Sequence, residues 1–80
     1  MIFVSTLEVI PGKGAALLKI IKSMEIPNDI KIREFLSLFD KPDYLLIFEA
    51  SNEEKAMSFV LKFASVAVPK TSLGVTVDKS

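Results

Sequence analysis

The chain has no cysteine, no histidine, no tryptophan and no glutamine among its 80 residues. Without cysteine there is no disulfide to hold a small fold together. Without histidine as well, the chain cannot build a Cys/His zinc staple, a histidine-ligated haem site, or a Ser–His or Cys–His nucleophile pair. An excess of either charge is also missing: ten Lys and Arg balance ten Asp and Glu. Tight nonspecific binding to nucleic acid needs clustered positive charge that displaces counterions from phosphates, so nucleic acid is not an expected partner. Nor does any apolar run approach the roughly 20 residues of a membrane-spanning helix. The longest, Tyr44 to Phe48, has five, and no membrane partner is expected. Met1-Ile2-Phe3 enters a strand-like run with no basic leader and no small-residue cleavage site, which makes a cytoplasmic location the expectation. The acids Asp40, Asp43, Glu53 and Glu54 do not have calcium-loop spacing. No metal, cofactor or catalytic residue is assigned.

What is present is apolar: half of the residues are hydrophobic. A chain of this length forms one domain, here residues 1–80, and buries only about 60% of the surface its unfolded form exposes. With disulfide and zinc excluded, association is the remaining source of extra stability.

Ile2 to Ile10 is rich in β-branched and large apolar residues and ends at the turn signal Pro11-Gly12, which predicts a first strand. From Lys13 the period changes. Leu17, Leu18, Ile21 and Met24 recur at helical steps while Lys19 and Lys22 fall on the other side, until Pro27-Asn28-Asp29 stops the helix. A second strand begins at Ile30, with Ile30, Ile32, Glu34, Leu36 and Leu38 on one face and Lys31, Arg33, Phe35, Ser37 and Phe39 on the other. The polar turn Asp40-Lys41-Pro42-Asp43 leads into Tyr44 to Phe48, a hairpin. Ser51 and Glu54 have capping-box spacing, and a second helix follows with Ala56, Phe59, Val60 and Phe63 as its buried stripe. Val68-Pro69 closes that helix. Thr71 to Val77 alternates as a last strand, with Leu73, Val75 and Val77 on one side.

The order βαββαβ predicts an α+β, ferredoxin-like fold: a four-stranded antiparallel sheet with two helices on one face. Two helices cover one face only, yet Tyr44 to Phe48 and Leu36 to Phe39 are apolar in both registers. The second face then exposes a contiguous apolar patch, at about 25 cal/mol for each Å² left in water. A second copy covers it most economically, because one self-complementary patch serves both partners. A homodimer or higher homo-oligomer is the expected assembly.

The run from Phe35 through Ala50, followed by Ser51 to Glu54 and an alanine-bearing helix, resembles the GYD domain family of the dimeric α/β-barrel superfamily. The same hairpin, together with Pro11-Gly12-Lys13 after the first strand, is similar to the effector-binding domain of leucine-responsive regulators. Both resemblances imply sheets paired into a dimeric α/β barrel, with a small-molecule pocket between subunits. Asp43 falls where these families place an aspartate, but Asp40 and Pro42 stand where a glycine and an aromatic residue are usual.

Six residues are candidates for holding a small molecule. Arg33, the only arginine, has a planar fork suited to a carboxylate, and Glu34 and Glu49 are strand acids able to orient a polar group. Phe35 and Tyr44 would supply apolar area, with Leu46 and Phe48, from whichever face the helices leave open. Asp43 lies in the adjoining hairpin. The plainer reading of each is structural: cross-strand ion pairs for Arg33 and the glutamates, turn geometry for Asp43, packing for the aromatics. The functional expectation is a noncatalytic, self-associating domain with a small molecule between subunits. The alternative is a small cofactor-free enzyme of the barrel superfamily, a monooxygenase or isomerase, using Glu34 or Glu49 as proton acceptor.

Overall fold

A computed structural model describes residues 1–78; residues 79 and 80 of the expected domain lie outside the described residues. Strand β1 (Ile2–Val9) is followed by a turn in which Lys13 N–H donates to the Ile10 carbonyl at 2.9 Å across Pro11 and Gly12. Gly12 has φ +84°, and proline followed by a positive-φ glycine is the residue pattern of a type II turn. Helix α1 (Gly14–Ser23) follows. Leu17 is fully buried and Ile20, Ile21 and Met24 pack beside it, whereas Leu18, assigned to the apolar stripe from its spacing, is exposed.

Strands β2 (Ile30–Ser37) and β3 (Tyr44–Ala50) form the predicted hairpin. Helix α2 (Glu53–Val60) continues into a 3₁₀ turn (Leu61–Phe63), and strand β4 (Ala67–Gly74) closes the fold. The sheet order is β2-β3-β1-β4, with every neighbouring pair antiparallel. Leu17 of α1 and Ala56, Phe59, Val60 and Phe63 from the second helical segment share one core with Phe3, Leu7, Leu46 and Phe48. Both helices therefore sit on the same side of the sheet, as the ferredoxin-like βαββαβ order requires. Phe48 is the hub of this core, stacked on Phe3 at 5.6 Å and edge-on to Phe59 at 5.1 Å.

Four local expectations are corrected. The strict alternation read along β2 fails at a bulge: Ile32 pairs with Phe48 and Glu34 with Ile47, so Arg33 is an extra residue. Beyond it the faces exchange, and Phe35 joins Ile30 and Ile32 on the helix side. The N-cap of α2 is Asn52 rather than Ser51, its Oδ1 accepting from Lys55 N–H at 2.8 Å. Strand β4 begins at Ala67 and contains Pro69, which ends no helix; it is tolerated because β4 is an edge strand. The chain leaves the sheet after Gly74, so Val75 and Val77, expected in the strand, are exposed beyond it.

Candidate functional site: the uncovered sheet face

Register and alternation define what the helix-free face presents. Across β2, β3, β1 and β4, one row is Leu36, Leu45, Thr6 and Lys70; the next is Glu34, Ile47, Val4 and Ser72; the third is Lys31, Glu49, Ile2 and Gly74. The centre is thus aliphatic, built from Leu36, Leu45, Ile47, Val4 and Ile2. A Cβ on Gly74 would lie 3.7 Å from side-chain atoms of Ile2 and Val4, so the glycine leaves that end of the patch flat.

Charge is confined to two corners. At one, Lys31, Arg33, Glu34 and Glu49 meet, with Arg33 Nε 3.8 Å from Glu49 Oε2. At the other, Lys41 Nζ lies 3.9 Å from Glu8 and 3.2 Å from Asp43, near Lys70. Each corner carries two positive and two negative side chains, so neither repels a second copy by net charge.

The six candidate residues divide by this geometry. Arg33, Glu34 and Glu49 belong to the uncovered face, and the bulge brings the arginine beside Glu49. Phe35 and Tyr44 lie on the helix side, half-buried, 6.0 Å apart and edge-on, and Phe35 is also edge-on to Phe63 at 6.1 Å. Leu46 and Phe48 are fully buried there. None of these four faces the open side, because the bulge and the pairing of Leu46 with Ser5 and Phe48 with Phe3 turn them under the helices. Asp43 is a structural clamp. Its Oδ2 accepts from Val9 N–H at 2.7 Å, its own N–H donates to the Leu7 carbonyl at 3.1 Å, and its carbonyl accepts from Leu38 N–H at 2.9 Å. The Val9 amide bond, then the Lys41 ammonium, holds its carboxyl below the usual aspartate value.

Two grooves not foreseen in the sequence flank α2. One, of about 390 Å³, runs beside Asp29, Lys55 and Phe59, where Lys55 Nζ holds Asp29 at 3.0 Å. The other, of about 460 Å³, is apolar and lies between α2 and β4, lined by Phe3, Met57, Val60, Leu61 and Leu73. The exposed Met57 and Leu61 within the second helix's apolar composition were its available signal. None of the six candidate residues lines either groove. Among the described residues, no group of three or more acids, His or Cys could hold a metal ion, and no helix is long and apolar enough to cross a membrane.

The sheet order, the helix placement and the open face together define a ferredoxin-like α+β domain. No protein-family model and no curated protein matches the chain. In structure it is similar to B. subtilis LrpC, with a TM-score of 0.74 at 15% identity over 99% of this chain and 54% of that one. The chain thus spans about half the length of LrpC, and at this identity the likeness shows the fold.

Proposed function

We propose that this chain is a noncatalytic, self-associating domain that pairs two sheets face to face and holds a small molecule at the charged corner of the paired face. The observation that carries the reading is the aliphatic centre formed by Leu36, Leu45, Ile47, Val4 and Ile2 on a sheet whose other side already carries both helices. Edge-to-edge growth is disfavoured: β2 is interrupted by its bulge beside Lys31 and Arg33, and β4 carries Pro69 and Lys70, devices that blunt an exposed strand. The face remains as the route of association. The fold likeness to LrpC supports the resemblance to effector-binding domains of leucine-responsive regulators; the GYD resemblance has no counterpart among the comparisons. Glu34 is exposed and Glu49 stands beside Arg33 rather than in a closed cavity, which favours binding over proton abstraction.

Self-association is tested by light scattering on Ile47→Lys. Ile47 pairs with Val4 at the middle of the patch, and a lysine there keeps its ammonium in water in a monomer but is desolvated between two sheets. The expected result is a folded monomer, against a mass of twice 8.8 kDa for the unaltered chain. An Ile47→Lys protein that keeps the dimer mass contradicts the pairing. The ligand class suited to the corner is a zwitterion with an apolar side chain, its carboxylate on Arg33 and its ammonium on Glu34 or Glu49. Free apolar α-amino acids at a hundredfold over Kd stabilise by about 2.7 kcal/mol, read as a raised Tm that Arg33→Ala abolishes. No shift with any of them contradicts the ligand part of the reading.

A further inference from the structure

We propose that the groove between α2 and β4 is a ligand site for a small amphipathic amine, with an alkyl chain lying along the groove and an ammonium on Glu53. The site is separate from the sheet pairing proposed above and needs no second copy. Its origin is the register of the edge strand. Pro69, Thr71 and Leu73 of β4 pair with Leu7, Ser5 and Phe3 of β1, so all six share the helix side of the sheet. The three β1 residues are buried there, yet Pro69 is only half-buried and Thr71 and Leu73 are exposed. The helix that covers β1 stops short of β4 and leaves an open trough of about 460 Å³.

The helical wall of the trough has a direction. Glu53, Met57 and Leu61 recur at four-residue steps, which stacks them along one side of the second helical segment. Because β3 and β4 are both antiparallel to β1, α2 connects two parallel strands and runs back against them. Glu53 therefore stands at the Leu73 end and Leu61 at the Pro69 end, about 12 Å apart along the helix axis. Between them the exposed Met57 and Leu61 and the buried Phe3 and Val60 make the lining apolar. Charge selects the head group. Glu53 is the one charged residue lining this groove, and it has no ion-pair partner among the described residues. In the groove on the other side of α2, by contrast, Lys55 already meets Asp29 at 3.0 Å. Thr71 donates its hydroxyl proton to Ser5 at 2.9 Å, so its remaining lone pairs, like the Glu53 carboxylate, call for a donor. Apolar walls with a few polar groups that fix orientation are the composition of a small-molecule site, and these polar groups favour a cation over an anion.

The chain has three methionines, Met1, Met24 and Met57, and of these Met57 lines the groove. Methyl-labelled methionine therefore gives a reporter of the site and two internal controls by NMR. Octylamine, titrated below its micelle concentration, is expected to shift the Met57 methyl signal saturably and to leave Met1 and Met24 unmoved. Its Kd should be about tenfold or more below that of octanoate. Glu53→Gln, on an exposed position of the first helical turn, should abolish that preference, and Leu61→Ser should weaken octylamine binding with the preference retained. The Ile47→Lys chain should bind as the unaltered chain does, since the groove lies on the side of the sheet away from the pairing. An unmoved Met57 signal, or octanoate bound as tightly as octylamine, overturns the site. So does a Met57 signal that moves with protein concentration alone in the Ile47→Lys chain, which would seat a second copy in the groove. None of these outcomes touches the sheet pairing, which is read from mass.

Discussion

Asp43 accepts the Val9 amide at 2.7 Å and the Lys41 ammonium at 3.2 Å, and both bonds favour its ionised form. Its folded-state carboxyl is therefore more acidic than the unfolded one. The stability this contributes is fully present above the ordinary aspartate value of about 3.9 and is lost as pH falls through the lower folded value. Asp29 behaves in the same sense, mainly through its hydrogen bond to Lys55. Asp43→Asn keeps an acceptor oxygen but does not titrate, so it is expected to have a lower urea midpoint than the unaltered chain at pH 7, with the gap closing toward pH 3. A gap that is constant across that range contradicts the clamp. The turn around Asp43 was legible in the sequence because its residue types are local. Its partner was not, since Val9 lies 34 positions away along the chain and no spacing rule connects them.

At the scale of elements, periodicity located all six main segments and failed where the backbone departs from a regular repeat. Arg33-Glu34, two successive charged residues between Ile32 and Phe35, breaks the alternation of β2 and was the available trace of the bulge. Strict counting through it put Phe35 on the wrong face. Proline at position 69 reads as a stop for the preceding helix because a ladder donor is lost, but an edge strand has donors to spare. At α2, Ser51-Glu54 spacing competed with Asn52. Asparagine caps at least as well as serine, and Asn52 meets the Lys55 amide at 2.8 Å. Asn52→Ala is accordingly expected to cost about 1 kcal/mol, lowering Tm by about 5 °C in a domain of this size, with Ser51→Ala near neutral. Thermal melts giving the reverse order would place the cap at Ser51.

For the whole molecule, the ferredoxin-like arrangement was legible because the order of strand and helix periods, βαββαβ, is itself the signature of that fold. The identity of the open face was not legible. It depends on the β3 register, which sends Leu46 and Phe48 under the helices and leaves Leu45 and Ile47 outside. The candidate site divided for the same reason: Arg33, Glu34 and Glu49 stayed with the open face while Phe35 and Tyr44 went to the core. The result is a sheet with an aliphatic centre, two charge-balanced corners and blunted edges, the surface proposed above to meet a copy of itself. Sedimentation equilibrium of the unaltered chain across roughly 1 to 100 µM tests that claim most directly. The account predicts twice the 8.8 kDa chain mass or a larger even multiple at the upper concentrations; a single-chain mass throughout the range contradicts it.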